Sequence, residues 1–465
     1  MEKPSLPSGT RDYGVDMMSK RRFILNIMEQ VFRSHGFGQI ETPALENLRT
    51  LQGKYGDEGD QLLFKVLNSG DFLSKAPDDA LAAKDSKLVV SSISDRGLRY
   101  DLTVPLARHV VMNRDKITFP FKRFQMQPVW RADRPQKGRY REFWQCDIDV
   151  VGSNSTVSEA ELVEMYLEVF DKLNLNVAVR INHRGILDAF LPILGSQENW
   201  NSFMVAIDKF DKIGQDGVAK ELTERGLSHS LDAWNWICET AQINDFNELV
   251  SALEKYEPIQ NDSLQKGIAD LKSVYSLVEG ALKESKSILQ FDLRLARGLS
   301  YYTGCVFEVV TIDERIPQDF KIGSIGGGGR YDNLTGVFGL KDVSGVGVSF
   351  GLDRIYDTLE AGNLFPENHQ LNGVLICCMD ETAFPIAANL ARNLRNSELD
   401  SVEIYPGAVK LKKQLDYANA KHFGWAIILG ENEIQNGQVT LKNLITGEQS
   451  TAGNSAVQAL LTKIQ

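Results

Sequence analysis

Two neighbouring stretches, FKRFQMQPVW (121–130) and REFWQCDIDVV (141–151), constrain the fold of this chain more than any other feature. Both read as strands. In the second, Gln145, Asp147 and Asp149 stand two apart and share one face, while Trp144, Cys146, Ile148 and Val150 take the other. Their spacing predicts an antiparallel pair with a long connection. Residues 131–141, the connection and the first residue beyond it, hold Arg131, Arg134, Lys137, Arg139 and Arg141. Spread evenly, the 51 Lys and Arg of the 465 residues would put about one cation in such a window. The whole chain, by contrast, carries a net charge of -11.

A chain of 465 residues exceeds what one core supports and predicts about two to four domains. With 43% hydrophobic and 24% charged residues it falls among soluble globular proteins. No apolar run of about 18 residues occurs, so no transmembrane helix is expected. The N-terminus MEKPSLPSGTRDYG lacks the apolar core of a signal peptide. Cys146, Cys238, Cys305, Cys377 and Cys378 form no CxxC spacing, which argues for free thiols in a reducing cytoplasm. The histidines are scattered, so no protein-built zinc site is expected. The acidic balance argues against a general nucleic-acid coat but allows a local basic patch.

Along the chain, residues 16–35 read as an amphipathic helix with Phe23, Ile24, Ile27, Met28, Val31 and Phe32 on one side. LLFKVL is a strand candidate. LRYDLTVPLARHVV reads as strand then helix, with Thr103 as N-cap and Pro105 in the first turn. TVSEAELVEMYLEVFDKL reads as a helix with capping-box spacing at Thr156/Glu159 and Ser158/Glu161. Residues 184–287 lack strand alternation and read as an inserted helical module. Beyond a polar linker at 364–373, strand and helix patterns alternate as in a small α/β domain, with a hairpin near Asn436-Gly437 and a last helix.

Several features allow two readings. A polar strand face can simply meet water, and a basic loop can be a solvated hairpin tip. Arg131, however, sits at a strand end between Trp130 and Ala132, where a planar guanidinium suits a phosphate. In LARGLSYYTGCVFEV, Arg297 stands beside small residues; Tyr301 and Tyr302 are either packing or polar tips of a pocket. The glycines of GGGGRY allow close backbone approach to a ligand, although such a run is more often a loop. GVGVSFGLDR imitates a dinucleotide fingerprint, but Val346, Val348 and Phe350 between the glycines read as a continuing buried strand.

Together these segments resemble the class II aminoacyl-tRNA synthetases. FKRFQMQPVWRADRPQKGRYREFWQCDIDVVG is similar to motif 2, GVGVSFGLDRI to motif 3 with Arg354, and the first helix with FGQIETPALEN to motif 1 with Pro43. LARGLSYYTGCVFEV and GGGRYDNL resemble the two signatures of the histidyl-tRNA synthetase family. The resemblance implies an α+β catalytic core on a mixed or antiparallel sheet (1–183 and 288–366), a helical insertion (184–287) and a C-terminal α/β anticodon-binding domain (373–465). It implies activation of histidine by ATP, with Mg2+ accompanying the nucleotide, and transfer to the 3' end of the histidine tRNA. A homodimer acting in the cytoplasm, with neither membrane nor DNA as partner, is expected.

By position, Arg131, Arg139 and Arg354 would hold ATP phosphates, and Asp133 would read the adenine. Asp101, Thr103 and Gln145 would bind the α-amino end of histidine. Asp149, Tyr301, Tyr302 and Tyr331 would read the imidazole. Arg297, with Arg131, would be the catalytic cation on the α-phosphate. Lys410, Lys412 and Lys413 either meet RNA or are a solvated helix face. Two departures stand out: Ser300 replaces the usual Asp of the signature, and Asp149 is the shorter of two acids used there.

The residue types agree with this chemistry. Adenylation uses the substrate's own ionised carboxylate as nucleophile, so it needs alignment and positive charge rather than a Ser, Cys or His nucleophile. Two competing readings remain: a non-catalytic histidine-sensing paralogue, which would lack the C-terminal domain and the signature arginines, and a nicotinamide-dependent dehydrogenase resting on the glycine pattern alone.

Overall fold

The computed structural model describes residues 3–53, 56–296, 302–320, 322–333, 335–366, 373–396, 399 and 401–453. Arg297, Ser300, Tyr301 and the expected last helix lie outside the described residues. The chain divides into two compact units, Met1–Leu364 and Phe365–Gln465.

Among the described residues the strands are, in chain order, β1 (Gly38–Gln39), β2 (Leu45–Asn47), β3 (Lys65–Val66), β4 (Arg96–Leu98), β5 (Phe121–Trp130), β6 (Glu142–Val151), β7 (Val177–His183), β8 (Ile288–Phe291), β9 (Cys305–Thr311), β10 (Gly326–Arg330), β11 (Gly345–Gly351), β12 (Gly373–Cys378), β13 (Ser401–Ile404), β14 (Trp425–Leu429), β15 (Gln438–Asn443) and β16 (Gln449–Gly453). The first unit is built on an eight-stranded mixed sheet in the order β1-β5-β6-β11-β10-β9-β7-β8. Its inner neighbours pair antiparallel, and β1 and β8 add to the edges in parallel.

Register decides what each face of this sheet is. One face collects Phe124, Ile148, Val348, Phe307 and Ile181 in a row, with Cys146, Phe350, Val309 and Val179 beside them. All are buried. The helices Val15–Ser34 and Val157–Lys172 cover that face, where the Phe350 ring lies 5.5 Å from Phe32 and 4.6 Å from Tyr166. The opposite face carries Gln125, Asp147, Ser349, Gly327, Glu308 and Arg180 across six strands, flanked by Gln145, Arg123 and Asp149. The segment from Arg184 to Glu284 is helical, with no strand among its described residues, and belongs to the same compact unit.

The second unit holds a sheet of order β13-β12-β14-β15-β16. Alternate residues of β12 serve opposite cores. Val374, Ile376 and Cys378 pack with helix Phe384–Leu394, and Leu375 and Cys377 pack with helix Leu411–Ala420. Burial on both faces explains why GVLICC shows no polar alternation.

Several local expectations are corrected. Helix Thr103–Met112 is capped by the carboxylate of Asp101, which accepts from Val104 N at 3.1 Å, so Thr103 is its first residue and not its cap. Neither expected capping box forms at Val157–Lys172. Glu159 is buried in a bidentate pair with Arg330 (2.5 and 2.6 Å), and Glu161 meets Lys122 at 2.5 Å. Both carboxylates find cations across the fold, which outbid the helix's own N–H groups. Of LLFKVL only Lys65–Val66 is strand. The run GGGGR is an interior strand, not a loop. Asn436-Gly437 follows a short helix, Glu431–Gln435, and the tight hairpin instead closes where Asn443 N donates to Glu448 O at 2.9 Å.

Candidate active site

The polar face of the large sheet forms the floor of two adjoining cavities. The strand alternation of β6 puts Gln145, Asp147 and Asp149 on that floor, and the glycines of β10 and β11 leave room above it. A Cβ on Gly347 would collide with the Asp149 carboxylate, and one on Gly329 would meet the Tyr302 ring at 2.7 Å. Glycine is required at these positions for close approach, not for a turn.

The first cavity, about 370 Å3, is lined by Asp101, Thr103, Gln145, Asp147, Asp149, Tyr302, Tyr331, Glu308, Ser349 and glycines of β10 and β11, with Arg131 and Arg139 at its border. At its base Arg123, 0% exposed, reaches from β5 to put Nη2 2.6 Å from Asp149 Oδ2. The hydroxyl of Tyr331 donates to the other oxygen of Asp149. Burial pushes the carboxyl of Asp149 up, while Arg123 and the Tyr331 hydrogen bond pull it back. Burial likewise pushes Asp147 up to about 7, opposed by Arg123 and reinforced by Asp149. The same desolvation, with Asp149 alongside, holds the Tyr331 hydroxyl protonated well above its ordinary range. Gln145 Nε2 donates to Ser349 Oγ at 3.1 Å, and its carbonyl oxygen is buried.

The second cavity, about 430 Å3, shares Tyr100, Arg131, Arg139, Gln145, Asp208, Gly327 and Ser349 with the first and adds Asp133, Tyr140, Phe143, Asp353 and Arg354. Arg131 is fixed where its Nε donates to Tyr100 O at 3.1 Å and its guanidinium lies 4.3 Å from the Tyr100 ring centre. Arg354 Nε donates to Gly138 O at 2.8 Å and Nη1 to Ser324 O at 2.6 Å, so helix Leu352–Ala361 and the basic loop hold one another. Arg139 lies 3.5 Å from Asp133. Asp353 is engaged by Arg11 (2.6 Å), Arg21 (2.6 Å), Tyr13 (2.8 Å) and Trp144 N (2.8 Å). Two cations held beside an open polar space are an arrangement that binds and aligns an anion such as a polyphosphate.

The described residues expected to bind an amino acid, Asp101, Thr103, Gln145, Asp149, Tyr302 and Tyr331, thus line the first cavity, and Arg131, Asp133, Arg139 and Arg354 line the second. Not every loop cation joins them: Lys137 Nζ stacks 4.1 Å from the Phe320 ring centre, Arg141 donates to Asp133 O and Ser8 O, and Arg134 is exposed. Sequence reasoning missed Arg123, Ser349, Glu308, Asp208 and Lys212. Asp147 carried a signal, its alternation with Gln145 and Asp149. Arg123 and Ser349 become visible only through cross-strand register, and Asp208 and Lys212 only through the packing of the helical segment.

Comparison with known proteins matches residues 71–355 to a histidyl-tRNA synthetase family model and 373–465 to an anticodon-binding domain model. The histidine–tRNA ligase of Christiangramia forsetii is 49% identical, covering 97% of each chain. That of Cytophaga hutchinsonii is also 49% identical over 97% of each chain. A crystal structure of histidyl-tRNA synthetase from Nostoc sp. PCC 7120 superposes with a TM-score of 0.81 at 27% identity, covering all of both chains.

Proposed function

The chain belongs to the histidyl-tRNA synthetase family, and from that premise we propose how its residues divide the reaction. It has the class II fold of that family, with a catalytic core and an anticodon-binding domain, and acts as a histidine–tRNA ligase. Histidine, ATP and tRNA are its substrates. The histidine-sensing paralogue is not favoured, since the relatives named histidine–tRNA ligase match over nearly the full length.

In our reading, histidine occupies the first cavity. Asp149, held between Arg123 and the Tyr331 hydroxyl, accepts from a ring N–H, with Tyr302 beside it. Asp101, Thr103 and Gln145 receive the α-amino end. ATP occupies the second cavity, its phosphates against Arg131, Arg139 and Arg354 and its adenine toward Asp133. The histidine carboxylate attacks the α-phosphorus at the junction, forming histidyl-adenylate and releasing pyrophosphate; the tRNA 3' end then accepts the histidyl group. Arg297 is assigned the cation on the α-phosphate by its place in the signature. Preorganised charge at a phosphoryl group undergoing transfer contributes about 3 kcal/mol, on the order of a hundredfold in rate.

Mg2+ in this scheme arrives as the counter-ion of ATP. Among the described residues no group of three or more His, Cys, Asp or Glu converges to hold a metal ion, and Asp353 is already engaged by Arg11 and Arg21. Residues 1–183 and 288–366 are assigned to the catalytic core, 184–287 to an insertion and 373–465 to anticodon binding, where Lys412 and Lys413 are exposed. A homodimer is the expected assembly, checked by sedimentation.

The observation that carries this reading is the junction of the two cavities at Arg131 and Gln145. Amino-acid-dependent ATP–pyrophosphate exchange, run with each standard amino acid, tests it. Exchange with histidine alone is expected; histidine binding without any exchange would turn the assignment to the sensing paralogue.

A further inference from the structure

Among the described residues, three buried acceptors of the first cavity's lining lack a hydrogen-bond partner: Asp149 Oδ2, which has the Arg123 cation against it, and Gln145 Oε1 and Asp147 Oδ1, which form no ion pair. Gln145 and Asp147 belong to the same face of β6, two residues apart. One hydroxyl lies against both side chains. Ser349, opposite Asp147 in the β6–β11 register, accepts from Gln145 Nε2 at 3.1 Å, and its hydroxyl beside the Asp147 carboxyl favours the ionised form. Arg123 does not complete Asp147, because its Nη2 goes to Asp149 Oδ2 at 2.6 Å. Asp101 lines the same cavity and adds its negative charge near Asp147. A buried carboxylate oxygen without a donor is costly, and a ligand cation relieves that cost. An ammonium offers three N–H donors and a full charge, which suits two oriented acceptors with a second carboxylate nearby.

We propose that Asp147, oriented by Ser349, is a further ligand of the α-ammonium group of the amino-acid substrate, completing a seat with Gln145. This rests on the reading that the first cavity holds histidine. Asp147 is then a binding residue and Ser349 a positioning residue. The ring end of the substrate is left to Asp149 and Tyr331, deeper in the same cavity.

Calorimetric titration of the full-length protein separates the ends of the ligand. The probes are histidine, histidinol, which keeps the amine and ring, and imidazole-4-propionate, which lacks the amine. Asp147→Asn keeps the side-chain shape and removes the charge. It should weaken histidine and histidinol by about tenfold or more and leave imidazole-4-propionate within about twofold. Ser349→Ala should follow the same pattern with a smaller loss. An equal loss on all three ligands would overturn the proposal, because a general disturbance or a ring contact would then explain it. So would unchanged histidine affinity in Asp147→Asn when Gln145→Ala is weakened. If both variants bind histidine as the parent does, the assignment of the cavity itself fails, and the proposal with it.

Discussion

The sheets of the two units solve opposite problems. In the C-terminal unit β12 sends Val374, Ile376 and Cys378 to one side and Leu375 and Cys377 to the other, and both sides are apolar cores. In the first unit the large sheet has one apolar face, under Phe32 and Tyr166, and one face that buries Arg123, Asp147 and Asp149. The apolar face gains stability by excluding water, whereas the polar face is the floor of two open cavities and sets buried charges beside them. The contrast suggests that the polar face is retained for what it binds.

The largest effect should come from breaking the charge balance of that face. Arg123→Ala removes the partner of Asp149 and should cost about 3–5 kcal/mol of stability by denaturant titration; a loss no larger than that of a surface arginine would erase the distinction between the two faces. Next, Arg354→Ala should slow single-turnover adenylation by on the order of a hundredfold, about 3 kcal/mol of barrier, with the fold retained. An unchanged rate would remove Arg354 from the phosphate site.

Asp147 offers a test with a defined sign. Its folded carboxyl is pushed up to about 7 from an ordinary 3.8. The folded chain therefore holds a proton there that the unfolded chain releases. Stability should fall as pH rises from about 4 to about 7, and level off above. Asp147→Asn, which cannot ionise, should then be more stable than the parent by at least about 1 kcal/mol at pH 8, with the gap closing toward pH 4. A constant gap across that range would show that ionisation is not the cause. The smallest effect belongs to the other sheet: Ile376→Val should cost about 1 kcal/mol and leave pyrophosphate exchange unchanged. A loss of exchange would tie the second unit to the activation step.

Much of this was legible from residues. The alternation of Gln145, Asp147 and Asp149 identified a polar strand face, and the alternating strand and helix patterns beyond the 364–373 linker identified a small α/β domain. The glycine run Gly326–Gly329 misled, because glycine is common in loops; here it pairs with β9 and β11 as an interior strand, and the β11 backbone at Gly328 and the Tyr302 ring at Gly329 occupy the space a side chain would need. The capping spacing at Thr156/Glu159 misled for a similar reason, since a distant arginine, Arg330, competed for the acid.

The sequence by itself determined the family, the order of elements and which strand residues share a face, because these follow from local period and motif. Tertiary structure alone decided that Arg123 stands behind Asp149, that Ser349 faces Asp147, and that Asp208 of the helical segment borders both cavities. Register and packing join residues far apart in the chain, and a local pattern carries no information about which distant partner will arrive.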